Sequence, residues 1–254
     1  MQSIGIIGVG EIGRAIVEGL SDGVEAPPQI HLSPRGAQAA AELSQRFPNV
    51  QVCASNQDVI DRSKLVIIAV RHVGHAEALA GLRIGADRVV VSVMAGVSIA
   101  DLRTTLGTDA AVVRAIPLPA ARERRSVTVV YPSHPEVDAL FDGLGGSLPV
   151  ADEAAFSVFT ALTSTLTTHY QYLVTLTEWA ARQGIPPQDA DHFVRGLFED
   201  LGRTLSDESR SLERIARDHE TPGGTNERIR TTWFDAANTE ALTAALDALL
   251  ADLK

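Results

Sequence analysis

Three glycines in the run Gly8-Val9-Gly10-Glu11-Ile12-Gly13 stand where a short apolar segment, Ile4–Val9, gives way to an amphipathic one. A glycine at the first place permits a tight turn, and one at the second lets the backbone approach a pyrophosphate. The third allows close packing of helix on strand. Free N–H groups and the dipole of the following helix then favour a diphosphate. The same residues can also form a tight strand–helix turn without any ligand; the strand before and helix after favour the nucleotide reading. Gly8, Gly10, Glu11, Ile12 and Gly13 are therefore the first candidate cofactor residues.

A chain that binds NAD carries a carboxylate about 20 residues further on, at the end of the second strand, for the ribose 2′-hydroxyl. Here the sequence is His31-Leu32-Ser33-Pro34-Arg35-Gly36, with no carboxylate. Ser33 can donate to a 2′-phosphate and Arg35 can clamp it, which predicts NADP in place of NAD. Arg35 also reads as an ordinary solvated loop residue. Two further loops, Ala69-Val70-Arg71-His72 and Met94-Ala95-Gly96-Val97-Ser98, are predicted to close on the cofactor, because ligands sit at the carboxyl ends of parallel strands. Ala69, Val70, Arg71, Ala95 and Gly96 join the candidate set, with Ser98 as an N-cap.

These loops need a parallel sheet to hold them. Strand-like runs are read at Ile4–Val9, Gln29–Ser33, Val50–Cys53, Leu65–Val70, Val89–Met94, Val112–Ile116 and Val127–Tyr131. Helix-length segments at Gly13–Leu20, Ala37–Phe47, Gly74–Leu82 and Ile99–Leu106 lie between the early ones, the pattern of βαβ units. After about residue 150 the strands stop. A stripe at Phe193, Leu197, Leu201 and Leu205 follows Pro186-Pro187, and the stretch Thr239–Leu253 is rich in alanine and leucine. The expected fold is α/β: a Rossmann-type parallel-sheet domain over residues 1–150, then an all-helical dimerisation domain over 151–254.

Composition narrows the partners. With 22 Lys+Arg against 32 Asp+Glu, the formal charge of −10 repels phosphate backbones and anionic lipid. Nucleic acid and membrane are not expected partners. Cys53 is the single cysteine, so no intrachain disulfide forms and a cysteine-built metal site is excluded. His72 and His75 form a pair without a third ligand, and no metal is predicted. No leader-like segment and no apolar run of about 18 residues is found, which points to the cytoplasm.

Five blocks together resemble the pyrroline-5-carboxylate reductase family. They are Ile6–Gly13, Ala69-Val70-Arg71, Ser92–Ile99, Val113-Arg114-Ala115-Ile116-Pro117 and Thr221-Pro222-Gly223-Gly224-Thr225. The resemblance implies a Rossmann domain plus a helical dimerisation domain with the active site between them, a homodimer or an oligomer of dimers, and NADPH as reductant. It implies reduction of a cyclic imino acid, 1-pyrroline-5-carboxylate to proline. It also assigns the substrate carboxylate to the segment of Thr221, Gly223, Gly224 and Thr225, where backbone N–H groups and hydroxyls can form an anion-binding nest; a plain inter-helix turn is the other reading of that segment.

Two departures from the family concern the substrate. Leu118 replaces an asparagine, and Thr163-Ser164-Thr165-Leu166-Thr167 replaces a glycine-rich stretch opening the long helix, placing Thr165 at the pocket floor. Along that helix Phe159, Leu162, Leu166, His169, Leu173, Leu176 and Ala180 repeat at helical spacing. His169 is either a satisfied core residue, or His169 or Tyr170 borders the pocket and orients the imine or supplies a proton. Another imine or a keto acid as substrate, and a non-catalytic NADP sensor, are the competing functional readings.

Overall fold

A computed structural model describes residues 3–253; Met1, Gln2 and Lys254 lie outside the described residues. The chain divides into two compact units, Met1–Thr160 and Ala161–Lys254.

The first unit is an eight-stranded sheet. Its strands are β1 (Ile4–Ile7), β2 (Ile30–Leu32), β3 (Val50–Val52), β4 (Leu65–Ile68), β5 (Val89–Ser92), β6 (Ala111–Ile116), β7 (Thr128–Tyr131) and β8 (Ser147–Pro149). The spatial order is β3-β2-β1-β4-β5-β6-β7-β8. From β1 the chain winds outward to β3, then returns to place β4 on the other side of β1. The strand order therefore reverses between β1 and β4, where ligands of such sheets bind. Helices α1 (Glu11–Ser21), α2 (Ala37–Arg46), α3 (Asn56–Asp61), α4 (His75–Leu79) and α5 (Ile99–Leu106) follow β1 to β5 in turn, and α6 (Pro135–Asp142) follows β7.

The unbroken apolar runs of β1, β4 and β5 are explained by burial on both faces. Ile6, Ile67 and Val91 enter one core with Ile16, Leu20, Leu43 and Phe141. Their neighbours Ile7, Ile68 and Val90 enter the other, with Val59, Leu79, Leu102 and Leu106. Each strand thus feeds two cores by simple alternation.

One expectation of the sequence needs correction. β7 pairs with β6 antiparallel, at Arg114↔Tyr131 and Ile116↔Val129. Only a 3₁₀ turn, Pro119–Glu123, connects them, and a parallel return needs a longer crossover. The elements α3, α6 and β8 add to those read from sequence. α3 had a visible signal, since Ser55 caps it by accepting from the Asp58 amide.

Helix α7 (Glu153–Thr163) leads out of the first unit. The second is helical throughout: α8 (Thr165–Arg182), α9 (Pro187–Thr204), α10 (Leu212–Asp218), α11 (Thr225–Trp233) and α12 (Ala236–Asp252). Pro187 opens α9, as its spacing predicted. The expected stripe is not a buried one: α9 turns Ala190 and Val194 inward and leaves Phe193 70% exposed. α12 buries no residue, its alanines and leucines being spread around the helix instead of gathered on one face.

Candidate functional site

The glycine turn after β1 is shaped by contacts that a side chain would break. Gly8 has φ of +99°, and a Cβ there would stand 2.6 Å from the carbonyl oxygen of Ala69. Gly13 would place a Cβ 2.5 Å from the Gly8 carbonyl oxygen, so this glycine allows helix α1 to lie directly on the turn. Gly10 differs: a Cβ would meet nothing within 4 Å. It is the N-cap of α1 and offers no side-chain cap, which leaves the first N–H groups of an 11-residue helix open to a ligand. An open backbone cradle at a helix N-terminus fits a diphosphate. Ile12 is half-buried against the core behind it. The Glu11 carboxylate pairs with Arg122 of the 3₁₀ turn, so only its backbone remains for an anion.

The loops beyond β2, β1, β4 and β5 touch in succession. Gly36 would bring a Cβ to 3.4 Å from the Val9 carbonyl oxygen, Gly8 abuts Ala69, and Gly96 would reach 3.7 Å from Nδ1 of His72. These contacts line up the predicted residues Ala69, Val70, Arg71, Ala95 and Gly96 along one edge of the sheet with the glycine turn. Arg71, Ala95 and Gly96 are exposed there, and Ala69 and Val70 are half-buried. Ser98 caps α5 as expected, accepting from the Asp101 amide at 3.1 Å.

Ser33 has a different place from the one its sequence position suggested. It is completely buried, and its Oγ accepts a hydrogen bond from the Gly8 amide at 3.0 Å. It props the glycine turn from below and presents no surface to a phosphate. Arg35 stands exposed with no side-chain partner among the described residues. Beside it Gly36, at φ of +86°, opens α2 without a side-chain cap. A cavity of about 480 Å³ borders this point, lined by Arg14, Gly36, Ala37 and Glu42. Two carboxylates, Glu42 and then Glu18, hold the Arg14 guanidinium and raise its pKa further.

One ion pair, joining a buried arginine to a partly exposed glutamate, has no signature in the local sequence. Arg114 on β6 is 5% exposed, donates to Glu153 at 2.8 Å and lies 4.3 Å over the Phe156 ring. The same Glu153 oxygen accepts from the Ile99 amide at 3.3 Å. Glu153 thus ties the strand to the first residue of α5, next to Ser98 and the Ala95–Gly96 loop. The glutamate lies 39 residues from Arg114 and 54 from Ile99, too far apart for local pattern to reveal the contact.

In the helical unit, His169 is not a core residue. Its ring meets Phe198 edge-on at 5.7 Å and lines an apolar cavity of about 640 Å³ with Tyr172, Leu201, His219 and Asn226. Tyr170 is 66% exposed and does not line that cavity. The hydroxyl of Thr165 donates to the Leu162 carbonyl at 2.8 Å. The segment of Thr221, Gly223, Gly224 and Thr225 leads into α11, with Gly223 at φ of +74° and Gly224 as an N-cap without a side-chain cap. In the other unit, Leu118 is half-buried and its amide donates to Ser126. Among the described residues no group of three or more His, Cys, Asp or Glu could hold a metal, and no helix is long and apolar enough to cross a membrane.

A doubly wound sheet with an uncapped glycine turn at its switch point, followed by a helical unit, defines a Rossmann-type NAD(P)-dependent oxidoreductase. The family model described as "NADP oxidoreductase coenzyme F420-dependent" matches residues 3–96. Pyrroline-5-carboxylate reductase 2 of Bacillus subtilis is 24% identical over 238 residues, covering 89% of this chain and 85% of the relative. The pyrroline-5-carboxylate reductase of Mycobacterium tuberculosis is 30% identical over 189 residues, 68% and 63% of the two chains. The crystal structure of 1-pyrroline-5-carboxylate reductase from Streptococcus pyogenes superposes with a TM-score of 0.78 at 25% identity, covering 98% of each chain. The chain is thus similar to pyrroline-5-carboxylate reductases over nearly its whole length, at modest identity.

Proposed function

We propose that this chain uses NADPH to reduce the C=N bond of a cyclic imine, with 1-pyrroline-5-carboxylate, reduced to proline, as the reference substrate. The observation that carries the reading is the open cradle at Gly10, set in an unbroken row of loops from Gly36 to Gly96. When bound, NADPH supplies the hydride that turns the imine carbon into C–H. The amides that follow Gly10 bind the pyrophosphate, and Arg35 takes the 2′-phosphate, unopposed by any carboxylate at the end of β2. Arg71, Ala95 and Gly96 border the remainder of the cofactor, small residues leaving room for it. An iminium is already electrophilic, so alignment of donor and acceptor carbons is the main demand on the protein. His169 is the candidate proton donor, with Tyr170 second. Thr165, Thr221 and Thr225 offer hydroxyls to the substrate, and Gly223 and Gly224 shape the turn between them.

The protein is proposed to act in the cytoplasm as a homodimer through its helical unit. Large apolar residues stand exposed there, including Leu166, Trp179, Phe193 and Ile229. A second reading, another imine or a keto acid as substrate, is favoured by Leu118 and by Thr163–Thr167 at the places where the family differs. The test follows NADPH absorbance with pyrroline-5-carboxylate and a panel of cyclic imines and keto acids. Consumption with an imine supports the proposal. NADPH binding without consumption across the panel would leave a cofactor sensor in place of a reductase.

A further inference from the structure

The turn before α11 is the segment to which the resemblance assigns a substrate carboxylate, and its two glycine amides are already committed. The Gly223 amide donates to Oε2 of Glu227 at 2.5 Å, and the Gly224 amide donates to the Thr221 carbonyl at 2.7 Å. The side-chain amide of Asn226 donates to the His219 carbonyl at 2.8 Å. Arg230, one turn further along the helix, grips Glu220 through two nitrogens, the second at 3.0 Å. Glu227 itself is half-buried. Its carboxylate reaches back across the helix start in the manner of a capping box, from the third helical position.

We infer that Glu227 is a specificity-determining residue that fills the carboxylate nest with the chain's own carboxylate, so that the preferred substrate is an imine without a carboxylate group. This rests on the imine-reductase reading above. A substrate carboxylate entering the turn has to displace Glu227 from Gly223 and remain beside it, and two like charges at hydrogen-bond range oppose one another. The hydroxyls of Thr221 and Thr225 are neutral donors, which suit an uncharged ring. The apolar cavity bordered by His169 and Asn226 offers such a ring little polar surface to desolvate. A negative charge in the turn also favours the positively charged iminium over a zwitterion that carries its own anion.

The experiment compares 1-pyrroline with pyrroline-5-carboxylate under saturating NADPH, in the full-length chain and in Glu227→Ala and Glu227→Gln. The wild-type chain is expected to show a kcat/KM about tenfold or more higher for 1-pyrroline. A hydrogen bond to a charged group has about that worth. Glu227→Ala is expected to shift the ratio of the two kcat/KM values about tenfold towards the carboxylated imine, mainly through KM. Glu227→Gln keeps an acceptor for Gly223 while removing the charge, so it preserves the helix start and is expected to shift the ratio part of the way. Arg228→Gln serves as a charge control, because Arg228 is the exposed neighbouring cation. A wild-type preference for pyrroline-5-carboxylate, an unchanged ratio in both Glu227 variants, or a ratio governed by Arg228 would each overturn the inference. If the wild-type chain consumes NADPH with neither imine, the reductase reading itself fails.

Discussion

Gly10 and Gly13 are three residues apart in one motif, yet alanine at each has opposite consequences. Gly10 sits at φ −87° and ψ −164°, an extended conformation open to any residue, and an added Cβ meets nothing within 4 Å. Alanine there narrows the unfolded ensemble, a gain of about 0.4–1 kcal/mol. As an N-cap it is poorer than glycine by about the same amount. The two terms cancel, so the melting temperature should stay within about 3 °C of wild type, taking about 2–4 °C per kcal/mol for a chain of this size. Cofactor binding should not be spared, because the methyl group fills the space a pyrophosphate needs. Losing one charge-assisted contact of about 1.5–3 kcal/mol weakens NADPH by about ten- to a hundredfold. At Gly13 the new Cβ lies 2.5 Å from the Gly8 carbonyl oxygen, a backbone atom. Overpacking of about 3 kcal/mol there exceeds a helix-propensity gain of about 1 kcal/mol, so melting falls by several degrees. Thermal melting and NADPH fluorescence titration on both variants separate the two effects. A Gly10→Ala protein that melts like wild type and binds NADPH equally well would refute the assignment of the cradle.

Other outcomes follow from the same geometry. Arg35→Asp should shift preference from NADPH towards NADH, read as the ratio of dissociation constants; an unchanged ratio removes Arg35 from the 2′-phosphate. Glu153→Gln leaves Arg114 buried without its countercharge and loosens the first residue of α5. It is expected to raise KM for NADPH several-fold and to cost about 1.5 kcal/mol of stability in urea unfolding, the carboxylate being partly solvated. If unfolding changes and KM does not, Glu153 holds the fold and not the cofactor loop. Burial, and then the nearby Arg62 charge, lower the His31 pKa below its ordinary 6.5. Above that value both folded and unfolded chains carry neutral His31, and nothing is gained or lost. Below it the unfolded chain takes up a proton that the folded chain resists, so stability falls by at most about 1.4 kcal/mol per pH unit. Urea unfolding at mildly acidic and neutral pH should therefore show a smaller acid loss in His31→Gln than in wild type. Equal losses would mean His31 does not carry the effect.

How far the sequence could be read depends on the range of the interactions involved. Ile4–Ile7, Leu65–Ile68 and Val89–Ser92 could be found because burial on both faces demands an unbroken apolar run, visible without any partner. The glycine turn was legible for the same local reason, and Ser98 announced its helix through the residue three positions on. For Ser33 the sequence gives the place at the strand end but not the direction in which the side chain points. Its hydroxyl turns inward to Gly8, 25 residues away. The Arg114–Glu153–Ile99 tie is set by strand order, which no spacing rule encodes. On α9 the apolar stripe at Phe193 and Leu197 is visible from spacing alone. Whether it faces its own core is a matter of tertiary packing, and here it does not. Glu227 was invisible as a functional residue because a glutamate at the third helical position is an ordinary helix-start residue. Only its bond to Gly223, inside the turn assigned to a carboxylate, gives it further meaning.

Calorimetric titration of the wild-type chain with the two pyridine coenzymes tests the glycine cradle most directly. Saturable heat with NADPH at one site per chain, and a weaker response to NADH, is the predicted result. No heat with either coenzyme would contradict it.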